Sequence, residues 1–248
     1  MKGIEIAGLL LVLVSAGLML GFAFLRRKAA PSLREIPAFE RLQRAIGLAV
    51  EEGSRLHISL GRGNMVTPQS ASAFAGLSVL RRIADMTSIS DRPPVATSGE
   101  GALAILSQDT LRTAHQAATS GGRYDSTGGR LTGLTPFSYA AGALPVMRDE
   151  QVSANILMGN FGVEVGILTD TADRGNSFTL AASDNMPAQA ILYASAQEPL
   201  IGEELYAAGA YVQAGPLHDA SLHVQDILRW LIVLTLLIGA LLKMAGLL

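Results

Sequence analysis

Two stretches of this chain are apolar on every face, and the segment between them alternates between short apolar runs and polar, glycine-rich breaks. Ile4 to Leu25 is interrupted only by Glu5, Ser15 and small residues. At ~1.5 Å per helical residue it is long enough for a hydrocarbon core of ~30 Å. It ends in Arg26-Arg27-Lys28, with no small-x-small cleavage site, so it reads as a retained helix and not a signal peptide. The second stretch runs from Ile227 to Leu248. Arg229 and Trp230 stand at its entrance and Lys243 near its far end, residues suited to the headgroup layers.

The middle of the chain has a different rhythm. Pro31 to Pro37 reads as a linker, and Pro37 to Gly53 as an amphipathic helix with proline in its first turn and glycine at its end. Leu56–Leu60, Val95–Thr97, Ala154–Met158 and Phe178–Ala182 are short strand-like runs, each followed by a glycine-rich or polar loop and a helical stretch. Thr135-Pro136 starts another helix with no strand before it, and Ser120 to Gly133 reads as a long glycine-rich loop. Strands alternating with helices at this spacing predict an α/β fold, a mainly parallel Rossmann-like sheet with flanking helices, framed by a transmembrane helix at each end. The expected divisions are 1–28 and 225–248 for the membrane helices, 29–55 for linker and amphipathic helix, and 56–224 for the α/β domain.

Charge changes the picture in two ways. Basic residues gather at the inner ends of the apolar stretches, as Arg26, Arg27, Lys28, Arg34 and Arg229, while only Lys2 and Lys243 lie beyond the outer ends. The positive-inside rule then places the domain in the cytoplasm and both termini outside the plasma (inner) membrane. Along the chain the signs are also segregated. Arg26 to Arg130 holds 14 basic and 9 acidic residues, and Leu131 to Asp226 holds 2 basic and 11 acidic. One reading sets opposite faces against each other in a head-to-tail oligomer. Gly17 and Gly21 form a GxxxG pair in the first apolar stretch, which permits close helix contact with the second stretch or with another copy. With Arg123 and Arg130 of the glycine-rich loop they are the candidate interface residues. The overall charge of −2 argues against a nucleic-acid partner.

Candidate chemistry is sparse. The chain has no cysteine, which excludes disulfides and thiolate metal sites. His57, His115, His218 and His223 are scattered without metal-ligand spacing, so no metal and no cofactor is expected. Glu164, Asp170 and Asp173 read as a solvated helix face. In an open parallel sheet, ligands sit beyond the carboxyl ends of the strands. That singles out Gly61, Arg62, Gly63 and Asn64; Ser98, Gly99, Glu100 and Gly101; Gly159 and Asn160; and Ser183, Asp184 and Asn185. Gly99-x-Gly101-x-x-Ala104 matches a dinucleotide fingerprint, but Glu100 would repel a phosphate, and no acidic strand end follows at the usual distance. No nucleophile elbow, P-loop or paired acid/base appears, and no catalytic residue is assigned.

Three stretches, Ser90 to Thr97, Leu131 to Gly142 and Ala196 to Glu204, resemble an uncharacterised family of bacterial membrane proteins that carries a single domain of unknown function. The resemblance covers most of the chain and implies no activity. Two functions follow as expectations. The first is a membrane-anchored, non-enzymatic binding or scaffold module, self-associating or joined to other membrane subunits. The alternative is a nucleotide-linked enzyme or nucleotide sensor on a Rossmann-like domain.

Overall fold

The computed structural model describes residues 2–25, 33–67, 70–87, 90–119, 124 and 126–246. Its elements follow in the order α1 (Lys2–Leu25), α2 (Pro37–Glu52), β1 (Arg55–Gly61), α3 (Ser70–Thr87), β2 (Val95–Ser98), α4 (Gly101–Thr119), β3 (Gly129–Leu131), α5 (Pro136–Asp149), β4 (Val152–Asn160), α6 (Val165–Arg174), β5 (Phe178–Ser183), α7 (Met186–Ser195), β6 (Glu198–Leu200), α8 (Glu204–Tyr211) and α9 (Pro216–Met244). They form two compact units, Arg34–Ala214 and the pair of segments Met1–Leu33 and Gly215–Leu248.

In the larger unit six strands make one sheet in the order β3-β2-β1-β4-β5-β6, every neighbouring pair parallel. The central pair is β1 with β4, in register at His57↔Asn155 and Ile58↔Ile156. The alternation of β1 explains the two faces. Leu56, Ile58 and Leu60 join a core built with α2, α3, α4 and α8. The other face carries Leu157 and Ala181 into a smaller core with α5, α6 and α7. Gly76 permits α3 to lie on the sheet, because a Cβ there would stand 2.3 Å from the Met158 carbonyl oxygen.

Local chemistry sets the helix ends. Pro37 begins α2, and Gly53 ends it in the left-handed region at φ 65°, donating to the Ala49 and Val50 carbonyls. Thr135 and Ser138 form a reciprocal cap on α5.

The structure departs from the expected elements in three places. The stretch read as a glycine-rich loop contains β3, whose Gly129 fits against Ser107 and Gln108 of α4. A Cβ there would lie 2.6 Å from either side chain, so glycine permits the edge strand where propensity predicts a loop. The short strand β6 was also not anticipated, since three residues carry no period. Finally, α9 is one continuous helix from Pro216, because nothing between Pro216 and Met244 breaks it.

In the smaller unit α1 and α9 pack together, with the rings of Phe22 and His223 5.9 Å apart. Both are long and apolar enough to cross a membrane. The partly covered residues of α1 are Ser15, Leu18, Met19, Phe22 and Ala23, a single helical stripe. Gly17 and Gly21 lie on the opposite face, where an added Cβ would meet nothing within 4 Å.

Candidate functional site

The order β3-β2-β1-β4-β5-β6 reverses direction between β1 and β4, so the loops after these two strands flank the topological switch point. The predicted loops after β1, β2, β4 and β5 all fall at this carboxyl edge, on four adjacent strands.

The switch point is closed by backbone. Gly61 has φ 68°, and a Cβ on it would stand 2.2 Å from the Asn160 carbonyl oxygen. Gly159 is equally confined, 2.1 Å from the Leu60 oxygen. The Arg62 amide donates to Asn160 O at 2.8 Å, and the Gly99 amide to Gly61 O at 2.9 Å. The Arg62 side chain crosses Gly99 and places Nε 3.4 Å from Glu164 Oε1. Gly63 is buried, and Asn64 folds its Oδ1 onto the Val66 amide at 3.0 Å.

At this edge the start of α4 is occupied by the chain itself, and carboxylates also fill the loops ahead of α6 and α8. Glu100 Oε2 accepts from the Leu103 amide at 2.7 Å, filling the anion position at the start of α4. The Gly99-x-Gly101 fingerprint therefore cradles a carboxylate of its own. Gly101 opens α4 with free space around it. Ser98 is buried and its hydroxyl donates to the Glu100 carbonyl at 3.3 Å. Glu164, only 1% exposed, folds back to accept from the Gly162 amide at 2.9 Å. That corrects the solvated face expected for Glu164, Asp170 and Asp173. The two aspartates are exposed, whereas Glu164 precedes the helix and turns inward. Glu204 Oε2 accepts from the Ile201 amide at 3.3 Å ahead of α8.

On the β4–β5 side, Asn160 Nδ2 donates to Asp184 Oδ1 at 2.7 Å. Ser183 Oγ accepts from the Phe161 and Asn185 amides at 3.2 and 3.3 Å. At this edge two buried acceptors, Glu164 Oε2 and Asn185 Oδ1, have no hydrogen-bond partner among the described residues. This edge thus offers unpaired acceptors and, at α4, a capped helix end, which suit a hydrogen-bond donor and repel a phosphate.

Beneath α5 lies a polar line that the scattered histidines did not reveal. Asn155 donates through Nδ2 to Ser177 Oγ at 2.8 Å, which turns Oδ1 toward His57 Nδ1 at 2.9 Å. His57 must then donate from Nδ1, leaving Nε2 to accept from the Thr97 hydroxyl at 2.8 Å. Burial lowers the His57 pKa to about 4, so the ring is neutral. Tyr139 of α5 bonds Ser59 and also meets Thr97 and the Gly61 backbone. Its ring is fully buried beside Phe161, with centroids 6.3 Å apart, and burial raises its pKa. The only sequence signal was the alternation of β1, in which His57 and Ser59 share a face.

The segregated charges also find partners within the domain. Arg34–Glu204, Arg41–Glu198, Arg55–Glu150, Arg62–Glu164 and Arg130–Glu150 each join an arginine from the first half to a glutamate from the second. Strand order places β1 beside β4, so Arg55 meets Glu150 just before β4, while α2 crosses over β4, β5 and β6 and brings Arg41 to Glu198. Burial alone would push the Glu150 carboxyl up, but Arg130 and Arg55 hold it below its usual range. Arg130 is thus an internal partner, and Arg123 lies outside the described residues. Among the described residues no cluster of three or more His, Asp or Glu side chains is placed to hold a metal.

Sheet order and switch point define a doubly wound α/β domain in a chain with a long apolar helix near each end. The chain belongs to the family described as Domain of unknown function (DUF6754), whose model matches residues 3–248. No curated protein and no solved structure matches it.

Proposed function

We propose that this protein is a membrane-anchored, non-enzymatic scaffold or binding module, held by α1 and α9 in the plasma membrane with its α/β domain in the cytoplasm and both termini outside. The observation that carries the reading is the occupancy of the carboxyl edge. Glu100 takes a helix-start amide that a phosphate would need, Glu164 and Glu204 take loop amides just ahead of α6 and α8, and Arg62 is engaged by Glu164. A nucleotide would have to displace these carboxylates, which disfavours the nucleotide-linked alternative. The orientation rests on Arg26, Arg27, Lys28, Arg34 and Arg229 against Lys2 and Lys243.

Self-association belongs to the same proposal, through α1. Gly17 and Gly21 face away from α9 and leave a flat strip on which a second helix can lie. The charge split supports a head-to-tail contact less strongly, because five of the first half's arginines pair with four glutamates of the same domain. Native mass spectrometry of the full chain in mild detergent tests the reading. The expected result is an assembly of the chain without nucleotide mass. A stoichiometric bound nucleotide would overturn the non-enzymatic assignment, and a monomer at every concentration would overturn self-association.

A further inference from the structure

The layer made by α5, α6 and α7 carries a row of exposed apolar side chains at the carboxyl edge. The three helices follow β3, β4 and β5, which run parallel, so all of them start at this edge. α5 packs on α6 and α6 on α7, which puts α6 in the middle. Leu134 and Phe137 stand at the start of α5, Val163 and Ile167 around the start of α6, and Met186 at the start of α7. Their exposure runs from 38% at Ile167 to 81% at Met186. Tyr139, Val165, Leu168 and Ala188 of the same helices are buried in the smaller core, so the row is the outer rim of a packed layer.

Exposed charge is nearly absent from this rim. Residues 134–138, 162–167 and 184–187 include two charged side chains, Glu164 and Asp184. Glu164 is buried beside Arg62, and Asp184 accepts from Asn160. A two-fold contact sets a surface against itself and is repulsive where like charges are exposed, so an uncharged apolar row suits it. Five large side chains make a patch toward the upper end of the ~300–600 Å² that a monomer usually exposes. With the polar residues around them, Thr135, Ser138 and Asn185, they approach the ~800 Å² per partner of a standard interface.

We propose that this row is a two-fold interface between the α/β domains of two copies of the chain. The inference rests on the self-association proposed above. Copies joined through α1 hold their domains at high effective concentration, where a modest apolar patch is enough. With α6 in the middle, Val163 lies near the axis and meets its own counterpart, while Phe137 of one copy lies against Met186 of the other.

The chain has no cysteine, so single introduced cysteines report such contacts without background. The test treats the full chain in mild detergent with a short bismaleimide cross-linker. Val163→Cys should cross-link to itself. A mixture of Phe137→Cys and Met186→Cys chains should cross-link more than either variant alone. Ile105→Cys, on α4 of the opposite layer, and Tyr193→Cys, near the far end of α7, are equally exposed controls and should stay single. Val163→Glu should weaken the dimer roughly tenfold or more while leaving Tm within a few degrees. An oligomer in which Val163→Cys fails to cross-link, or in which Ile105→Cys cross-links as well, would overturn this interface and leave association through α1 standing. So would cross-linking of Val163→Cys in cells to a different protein alone. A wild type that is monomeric at every concentration would overturn both.

Discussion

His57 Nδ1 lies 2.9 Å from Asn155 Oδ1 across the two central strands, with both residues fully buried. A neutral ring suits this pair, and a second ring proton would turn the Thr97 contact from acceptor to donor. In the unfolded chain the ring titrates near its ordinary 6.5, and in the fold near about 4. Between these values the unfolded state binds a proton that the folded state refuses. Stability contributed by this group is therefore complete above about pH 6.5 and is lost as the pH falls toward about 4. The full loss is on the order of 3 kcal/mol. Urea midpoints measured from pH 7.5 to 4 on wild type and His57→Gln check this. The variant should start lower and lose most of the His57-dependent slope; an unchanged slope would contradict the assignment.

Gly61 and Gly101 offer a matched pair. Gly61 combines φ 68° with a carbonyl oxygen 2.2 Å from where a Cβ would sit. Gly61→Ala should cost about 2–4 kcal/mol. Gly101 opens a helix in free space, so Gly101→Ala should be neutral or stabilise by up to about 1 kcal/mol. Chemical denaturation of both variants measures the contrast.

Glu100→Ala removes the cap from the Leu103 amide and should cost about 1 kcal/mol. It also frees the start of α4. If that carboxylate is what excludes phosphate, the variant should gain weak, salt-sensitive phosphate binding that the wild type lacks, readable by thermal shift. Glu100→Gln keeps an acceptor without the charge and should retain most of the stability.

Gly17→Ile and Gly21→Ile place bulk on the face of α1 turned away from α9. Both should shift the detergent-solubilised protein toward monomer, while Leu18→Ile, on the covered stripe, should not. Arg130→Glu should instead destabilise the domain, since it sets a carboxylate against Glu150. Size-exclusion chromatography with light scattering, alongside thermal unfolding, separates these outcomes.

Much of the fold was legible because local rules and tertiary structure agreed. Leu56 to Leu60, Ala154 to Met158 and Phe178 to Ala182 are apolar runs ended by glycine or polar residues, and each is a central strand. β3 and β6 were not legible, because three residues beside glycine or proline carry no period. They exist through pairing with Ala96–Ser98 and Leu180–Ala182. Glu100 was legible as an obstacle to phosphate, though not as the cap it forms. Glu164 was misread because its inward turn depends on the Gly162 amide and on Arg62, distant in sequence. The His57 line was invisible for the same reason: its members come from β1, β2, β4 and the residue before β5.

The seam between β1 and β4 also has a history in time. β1 is completed at Gly61, yet the strand that borders it opposite β2 begins only at Val152. During synthesis, at about 5–20 residues per second, the central strand waits several seconds with one hydrogen-bonding edge bare. Four of the arginines that later cross the seam or brace it, Arg34, Arg41, Arg55 and Arg62, emerge before any of their glutamate partners. A nascent chain of this protein is thus, for a while, a half-sheet with surplus positive charge and an open edge. The ribosome and its chaperones meet that species, not the finished domain, and its edge is where mispairing between neighbouring chains would begin.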